Sequence, residues 1–242
     1  MKTIKFRIAG FLTAALVGVS LLVSTPAAQS GSAQARQERS EEAEVITESM
    51  EVLRELTATP DKGIPNHLLQ RAEAIIVIPS LVKGGFIIGG KHGKGIVSVR
   101  DRSTRQWTAP AIAKLTGGSI GWQIGVEKVD LVMLVMNRDG VEELLEDKFT
   151  IGGSASLTAG PVGRSADAAT NAQMSSKILA YSRAQGLFAG ASLEGAGLHA
   201  DDDDNAELYG EAVRLRDVLN GKVSTTPKIA ETWKDFISRV TR

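Results

Sequence analysis

Nineteen of the 25 glycines in this 242-residue chain lie between Gly84 and Gly197, and that crowding limits the fold more than any other feature. Interior glycine weakens helices and strands alike, but it permits bulges, bends and the close approach of two backbones. A glycine-rich stretch that also alternates apolar and polar residues predicts a strongly curved sheet. From Ser119 to Val126, Ile120, Trp122, Ile124 and Val126 alternate with Ser119, Gly121, Gln123 and Gly125. Phe149, Ile151, Gly153, Ala155, Leu157 and Ala159 repeat the pattern. Gly85 to Gly90, Gly95 to Arg100 and Gln106 to Thr108 read as short strands between turns. Ala74 to Ile78 reads as a buried strand closed by Pro79, and Leu131 to Met136 as a central one. Ile178 to Arg183 and Leu187 to Leu193 form a hairpin about Gln185 and Gly186.

The pattern becomes helical at both ends. Val45, Ile46, Met50, Leu53 and Leu56 fall at helical spacing between Ser40 and Leu56, on an acidic background. Pro65 and Asn66 open a short helix to about Glu73. Asp139 and Glu142 have capping-box spacing for a helix to about Glu146. Asn205 can cap a helix from about Ala206 to Leu219. Thr226 and Pro227 open a last helix with Ile229, Trp233, Phe236, Ile237 and Val240 on one stripe. The predicted fold class is α+β: a curved, glycine-rich antiparallel β-sheet, partly barrel-like, flanked by N-terminal and C-terminal helices.

Lys2, Lys5 and Arg7 precede the uncharged apolar run from Ile8 to Val23, and small residues follow. This is the layout of a secretory signal peptide, residues 1–35, cleaved after Ala35 or after Ala28. The alternative is an uncleaved anchor, for which sixteen apolar residues are short of the ~20 that a spanning helix needs. Either reading puts the single domain 36–242 outside the cytoplasm, periplasmic or secreted. With no cysteine, disulfides and thiolate chemistry are excluded.

Three chemical motifs fail on context. Gly117-Gly118-Ser119-Ile120-Gly121 matches G-x-S-x-G, but a nucleophile elbow needs a helix after it, and here a period-2 strand follows. Only His199 lies downstream of Ser119 as a partner, so a serine hydrolase is the weakest functional reading. Gly85 to His92 is one residue from a phosphate loop, yet no helix follows and a hairpin fits better. Asp201-Asp202-Asp203-Asp204-Asn205 makes Asp201 and Asp203 weak cation candidates, but Ala206 stands where an EF-hand requires glycine. Acids beginning a helix already interact favourably with its dipole. No cofactor is expected.

Charge distribution is more informative. The chain has 28 basic and 28 acidic residues, and without the first 35 residues it carries 25 − 28 = −3. Between Lys83 and Lys114, seven cations (Lys83, Lys91, Lys94, Arg100, Arg102, Arg105, Lys114) face one acid, Asp101. Asp201 to Ala212 carries six acids and no base. If turns gather those cations on one edge, they form a basic patch for anionic phospholipid or another polyanion of the envelope. Nucleic acid is disfavoured by the acidic domain and by aromatics at 5 %. A protein partner on the glycine-rich strand faces is the alternative.

Ala74 to Pro79 with Lys83-Gly84-Gly85-Phe86, Gly117-Gly118-Ser119 with Gln123-Ile124-Gly125, and Gly160-Pro161-Val162-Gly163 follow one another along the chain. Tyr181-Ser182-Arg183 with Gly186 to Gly190, Leu193-Glu194-Gly195, and Asn205 with Tyr209-Gly210 complete the series. This succession resembles the SYLF domain family. The resemblance implies a non-enzymatic module that associates with anionic lipid, and in eukaryotic members with actin filaments. Those members use a basic N-terminal amphipathic helix, whereas Glu41, Glu42, Glu44, Glu48, Glu51 and Glu55 make this one acidic. Only lipid association in general is carried over.

Overall fold

The computed structural model describes residues 27–58, 63–146, 149–150, 157–162, 176–184, 187–190 and 196–242. Six helices and seven strands occur among them: α1 (Ala27–Ala58), α2 (Asn66–Arg71), β1 (Ala74–Val99), β2 (Ala111–Val135), α3 (Arg138–Leu144), β3 (Phe149–Thr150), β4 (Leu157–Ala159), β5 (Ile178–Ala184), β6 (Leu187–Gly190), β7 (Ala196–Ala200), α4 (Asp202–Tyr209), α5 (Leu215–Leu219) and α6 (Lys228–Val240). The architecture is α+β, a curled sheet with helices at the two ends.

The sheet is built on β2. Along one edge β2 pairs antiparallel with β1, from Ala74 opposite Val135 to Val97 opposite Ala111. Its other edge is shared: β7 covers Ala113–Gly117 and β5 covers Asp130–Val135. β3 pairs with β7, and β6 forms the expected hairpin with β5. The β4–β5 pair is parallel, so the sheet is mixed where antiparallel pairing throughout was expected. The driest part is where three apolar runs meet. Ala74–Ile78, Leu131–Val135 and Ile178–Tyr181 are all essentially inaccessible, as befits strands covered on both faces.

β1 departs most from the sequence reading. The three short strands expected from Ala74 to Arg100 are one continuous strand, and Pro79 does not close it. Proline lacks the N–H that a ladder needs, and the strand absorbs it in a bulge. Register shifts between Ile78 and Leu81, Ser80 takes φ 52°, and its N–H donates to Asp130 Oδ1 at 3.0 Å. Further on, the strand coils over its own beginning. A Cβ placed on Gly93 would lie 2.6 Å from Ile78 Cγ2, and one on Gly95 would lie 2.7 Å from Ile78 Cδ1. This is the close approach for which glycine is needed.

Helix α1 lays Ile46, Met50, Leu53 and Leu56 on the sheet as the spacing predicts, but it begins at Ala27, ahead of Ser40. Most of the expected leader, residues 1–26, lies outside the described residues. Among the described residues no helix is long and apolar enough to cross a membrane. Trp233 of α6 is fully buried and donates from Nε1 to Ser98 Oγ of β1 at 2.7 Å. The cap of α3 is Asn137, whose side chain accepts from Gly140 N at 2.9 Å, and not Asp139. The single helix expected from Ala206 to Leu219 is two, because Gly210 ends α4 in the left-handed region at φ 70°.

Candidate binding surface

The fold sends the seven candidate cations to three places. Arg100, Arg102 and Arg105 lie around the β1–β2 turn, where Arg100 pairs with Trp107 as a β-bridge. Arg100 is used internally. Its guanidinium donates to Ala72 O at 2.9 Å and to Thr241 O at 3.4 Å, and stacks 4.4 Å over the Trp107 ring. Burial, then the charge of Arg105, lowers its pKa. Arg105 bonds Glu73 at 2.6 Å, and Arg138 reaches the same oxygen at 2.9 Å. Burial pushes the Glu73 carboxyl up, but the bond from Arg105 and the charges of Arg138, Arg105 and Arg100 hold it below its ordinary value. Arg102 forms an exposed ion pair with Glu142 of α3, a kind of contact that contributes little.

Lys94 and Lys114 stand directly opposite one another in the β1–β2 ladder. Like charges in that position repel unless they are matched, and the acidic run matches them. Lys114 pairs with Asp201; Lys94 pairs with Asp204 and, at 3.8 Å, with Glu42 of α1. The Asp201–Asp204 run is thereby divided. Asp202 accepts from Leu215 N at 2.9 Å, linking α4 to α5, and Asp203 is exposed. The weak cation candidates Asp201 and Asp203 are therefore not brought together as ligands, and among the described residues no cluster of three histidine or carboxylate groups is fit for a metal.

Lys83 and Lys91 differ from the other five. Both are half-buried on β1, and among the described residues no carboxylate lies within ion-pair distance of either. Burial pushes the Lys91 ammonium below its ordinary value, and the charge of Lys83 pushes it the same way. On a straight strand the two would stand roughly 26 Å apart, so β1 must coil between them; its register shift between Gly85 and Ile87 falls there. Glu127 faces Lys83 across the ladder, and Lys128 beside it is exposed.

The other motifs resolve as architecture. Ser119 lies inside β2, with its backbone opposite Gly89 and strand on both sides, so no elbow forms. The phosphate-loop-like run Gly85–His92 lies inside β1. Gly160 N donates to Ala180 O at 2.9 Å. Tyr209 donates to Pro110 O at 2.7 Å. Sequence reasoning missed a cleft of about 160 Å³ between α1 and the Pro79 bulge, lined by Glu48, Glu51, Glu55, Ser80, Asp130 and Arg183. There Arg183 joins Asp130 of β2 (2.6 Å) to Glu55 of α1, and burial with the charges of Glu44, Asp130 and Glu51 raises the Glu48 carboxyl. The signal that could have found it was the motif Tyr181-Ser182-Arg183.

Comparison with known proteins places this arrangement. A family model described as "Ysc84: Las17-binding protein actin regulator" matches residues 116–240. LAS seventeen-binding protein 3 of Saccharomyces cerevisiae is 32 % identical over 182 residues, covering 74 % of this chain and 39 % of that protein. Protein YSC84 of the same yeast is 35 % identical over 170 residues, covering 69 % and 36 %. SH3 domain-containing YSC84-like protein 1 of Homo sapiens is 33 % identical over 186 residues, covering 74 % and 53 %. The chain thus spans between about a third and about half the length of these relatives. One of these relatives is named for binding LAS seventeen, and the family model is described as an actin regulator. With the family model matching more than half of the chain and the quoted motifs in order along it, this chain belongs to the Ysc84 (SYLF) family.

Proposed function

We propose that this chain is a non-enzymatic module that docks peripherally on an anionic membrane surface, with Lys83 and Lys91 as the leading contacts. The observation that carries the reading is the proximity of two half-buried lysines with no carboxylate within ion-pair distance of either among the described residues, Glu127 facing Lys83 across the ladder without bonding it. Desolvated like charges are costly, and a phosphate head group between them removes that cost while a membrane surface attracts each lysine by about 1 kcal/mol. Exposed Lys128 adds to the same region. Arg102 contributes from the exposed turn. Lys94, Lys114, Arg105 and Arg100 contribute less, because acids or carbonyls of the chain already occupy them. The N-terminal basic and apolar segment supports an exported, periplasmic or secreted setting for this docking.

Vesicle co-sedimentation of the chain tests the reading. Binding to anionic vesicles at low salt, weak binding to zwitterionic ones and loss at high salt are expected. No binding to anionic vesicles, or binding indifferent to salt, would overturn it.

A second reading rests on the relatives' names, which describe one protein that binds LAS seventeen and one that contains an SH3 domain. By that reading the module binds protein. A stoichiometric complex that persists without lipid, together with absent vesicle binding, would favour it.

A further inference from the structure

The N-terminal half of α1 is held down through a buried charge cluster assembled from four elements. The β1–β2 ladder sets Lys94 opposite Lys114, and the β2–β7 ladder sets Lys114 opposite His199. Onto this row of bases α4 brings Asp201 and Asp204, and α1 brings Glu42. Glu42 is 2 % exposed and Asp201 5 %; Asp201 Oδ2 pairs with Lys114, whereas Glu42 keeps Oε2 without a hydrogen bond. Three carboxylates face two ammonium groups, so the fully ionised cluster carries a net charge of −1. A single proton makes it neutral. Asp201 and Asp204 lie close enough to titrate as a coupled pair, and Asp204 pushes the Asp201 carboxyl up.

We propose that this cluster is a proton-linked latch on α1. Holding its proton, it fixes the turns of the helix around Glu42 to the sheet. Losing it leaves an uncompensated buried charge, and those turns open while Leu53 and Leu56 stay anchored.

The direction follows from linkage. Burial raises the Glu42 carboxyl and Asp204 adds to the rise, against its own backbone bond and Lys94. Burial, the bond with Asp204 and its charge raise Asp201, against Lys114. Groups with raised values in the docked state favour docking at low pH, and the gain is lost as pH rises through those values. Asp204 is held low by Lys94 and Asp201 despite burial, so its contribution is lost only below the ordinary 3.8. Lys94 is raised by its acids despite burial, so its contribution is lost only above the ordinary 10.5. Neither opposes the latch in between. Flanking the cluster along the same elements are Glu41 and Glu44 of α1, His92 of β1, His199 of β7, and Asp202, Asp203 and Glu207 of α4. On α6, which also packs on α1, Glu231 and Lys234 pair with each other.

Hydrogen–deuterium exchange on the full chain at about pH 4.5 and about pH 7.5, corrected for the intrinsic rate, tests the latch. Amides from Glu42 to Met50 should exchange several-fold more slowly at the lower pH, with those of Ile75–Ile78 unchanged. Glu42→Gln, or Asp201→Asn as an independent route, should remove the difference. Glu41→Gln and His199→Gln should leave it. Equal protection of the wild-type helix at both pH values overturns the proposal, as does a difference that survives Glu42→Gln or disappears in His199→Gln.

Discussion

Asn205 joins α4 to β2 with its side chain alone: it accepts from Ile112 N at 2.7 Å and donates to Ile112 O at 2.9 Å and Asp201 O at 2.8 Å, with no exposure to solvent. From sequence it reads as a helix cap, because asparagine before an apolar stretch commonly is one. Its partner is 93 residues away in the chain, and local pattern carries no information about that. Asn205→Ala leaves the buried N–H of Ile112 unpaired and its C=O with only the bond from Asp201 N at 3.3 Å, and should cost about 2–3 kcal/mol in urea unfolding. A loss below about 1 kcal/mol would contradict the role. The surroundings of the cations lay beyond local pattern for the same reason. Composition shows which residues are basic, but whether Arg100 faces water or a cluster of carbonyls depends on contacts with Ala72 and Thr241 that only the fold creates.

At the scale of elements, periodicity served well where one face is buried throughout. The apolar spacing in α1 and α6 and the unbroken apolar runs of Ala74–Ile78 and Leu131–Val135 were all legible, and all are core. It failed where a strand coils. Pro79 and the glycines of β1 look like punctuation between short strands, yet they are bends within one strand that folds over itself. Two glycines test this. A Cβ at Gly95 meets the Val77 carbonyl and the Ile78 side chain, so Gly95→Ala should cost about 2–3 kcal/mol. Gly118, on β2, has nothing within 4 Å of that position. Gly118→Ala should stay within about 0.5 kcal/mol in the same unfolding experiment. Equal effects at the two sites would argue against the coiled strand. At the other end of the sheet, Leu53→Ala, which empties a fully buried position of α1, should cost about 2–5 kcal/mol by the same measurement.

At the scale of the molecule, the basic window from Lys83 to Lys114 and the acidic run from Asp201 look in sequence like opposite poles. The sheet makes them neighbours, because β7 lies beside β2 and delivers α4 to the ladder position of Lys114. Of the seven cations, Lys83 and Lys91 have no carboxylate within ion-pair distance among the described residues. Acid should act on the whole fold through Glu73. Its carboxyl is held low when folded, so its contribution is present above the ordinary 4.5 and disappears as pH falls below it. Thermal melts should show Glu73→Gln less stable than wild type at neutral pH and closer to it near pH 3.

The central claim, that binding charge is concentrated at Lys83 and Lys91 and not spread over the basic window, is tested most directly by anionic-vesicle affinity at low salt. Lys91→Glu should weaken binding by at least about thirtyfold, and the equal charge reversal Arg102→Glu, at an exposed cation already beside Glu142, by less than about fivefold. Equal losses from the two changes, or a loss only from Arg102→Glu, would contradict the account.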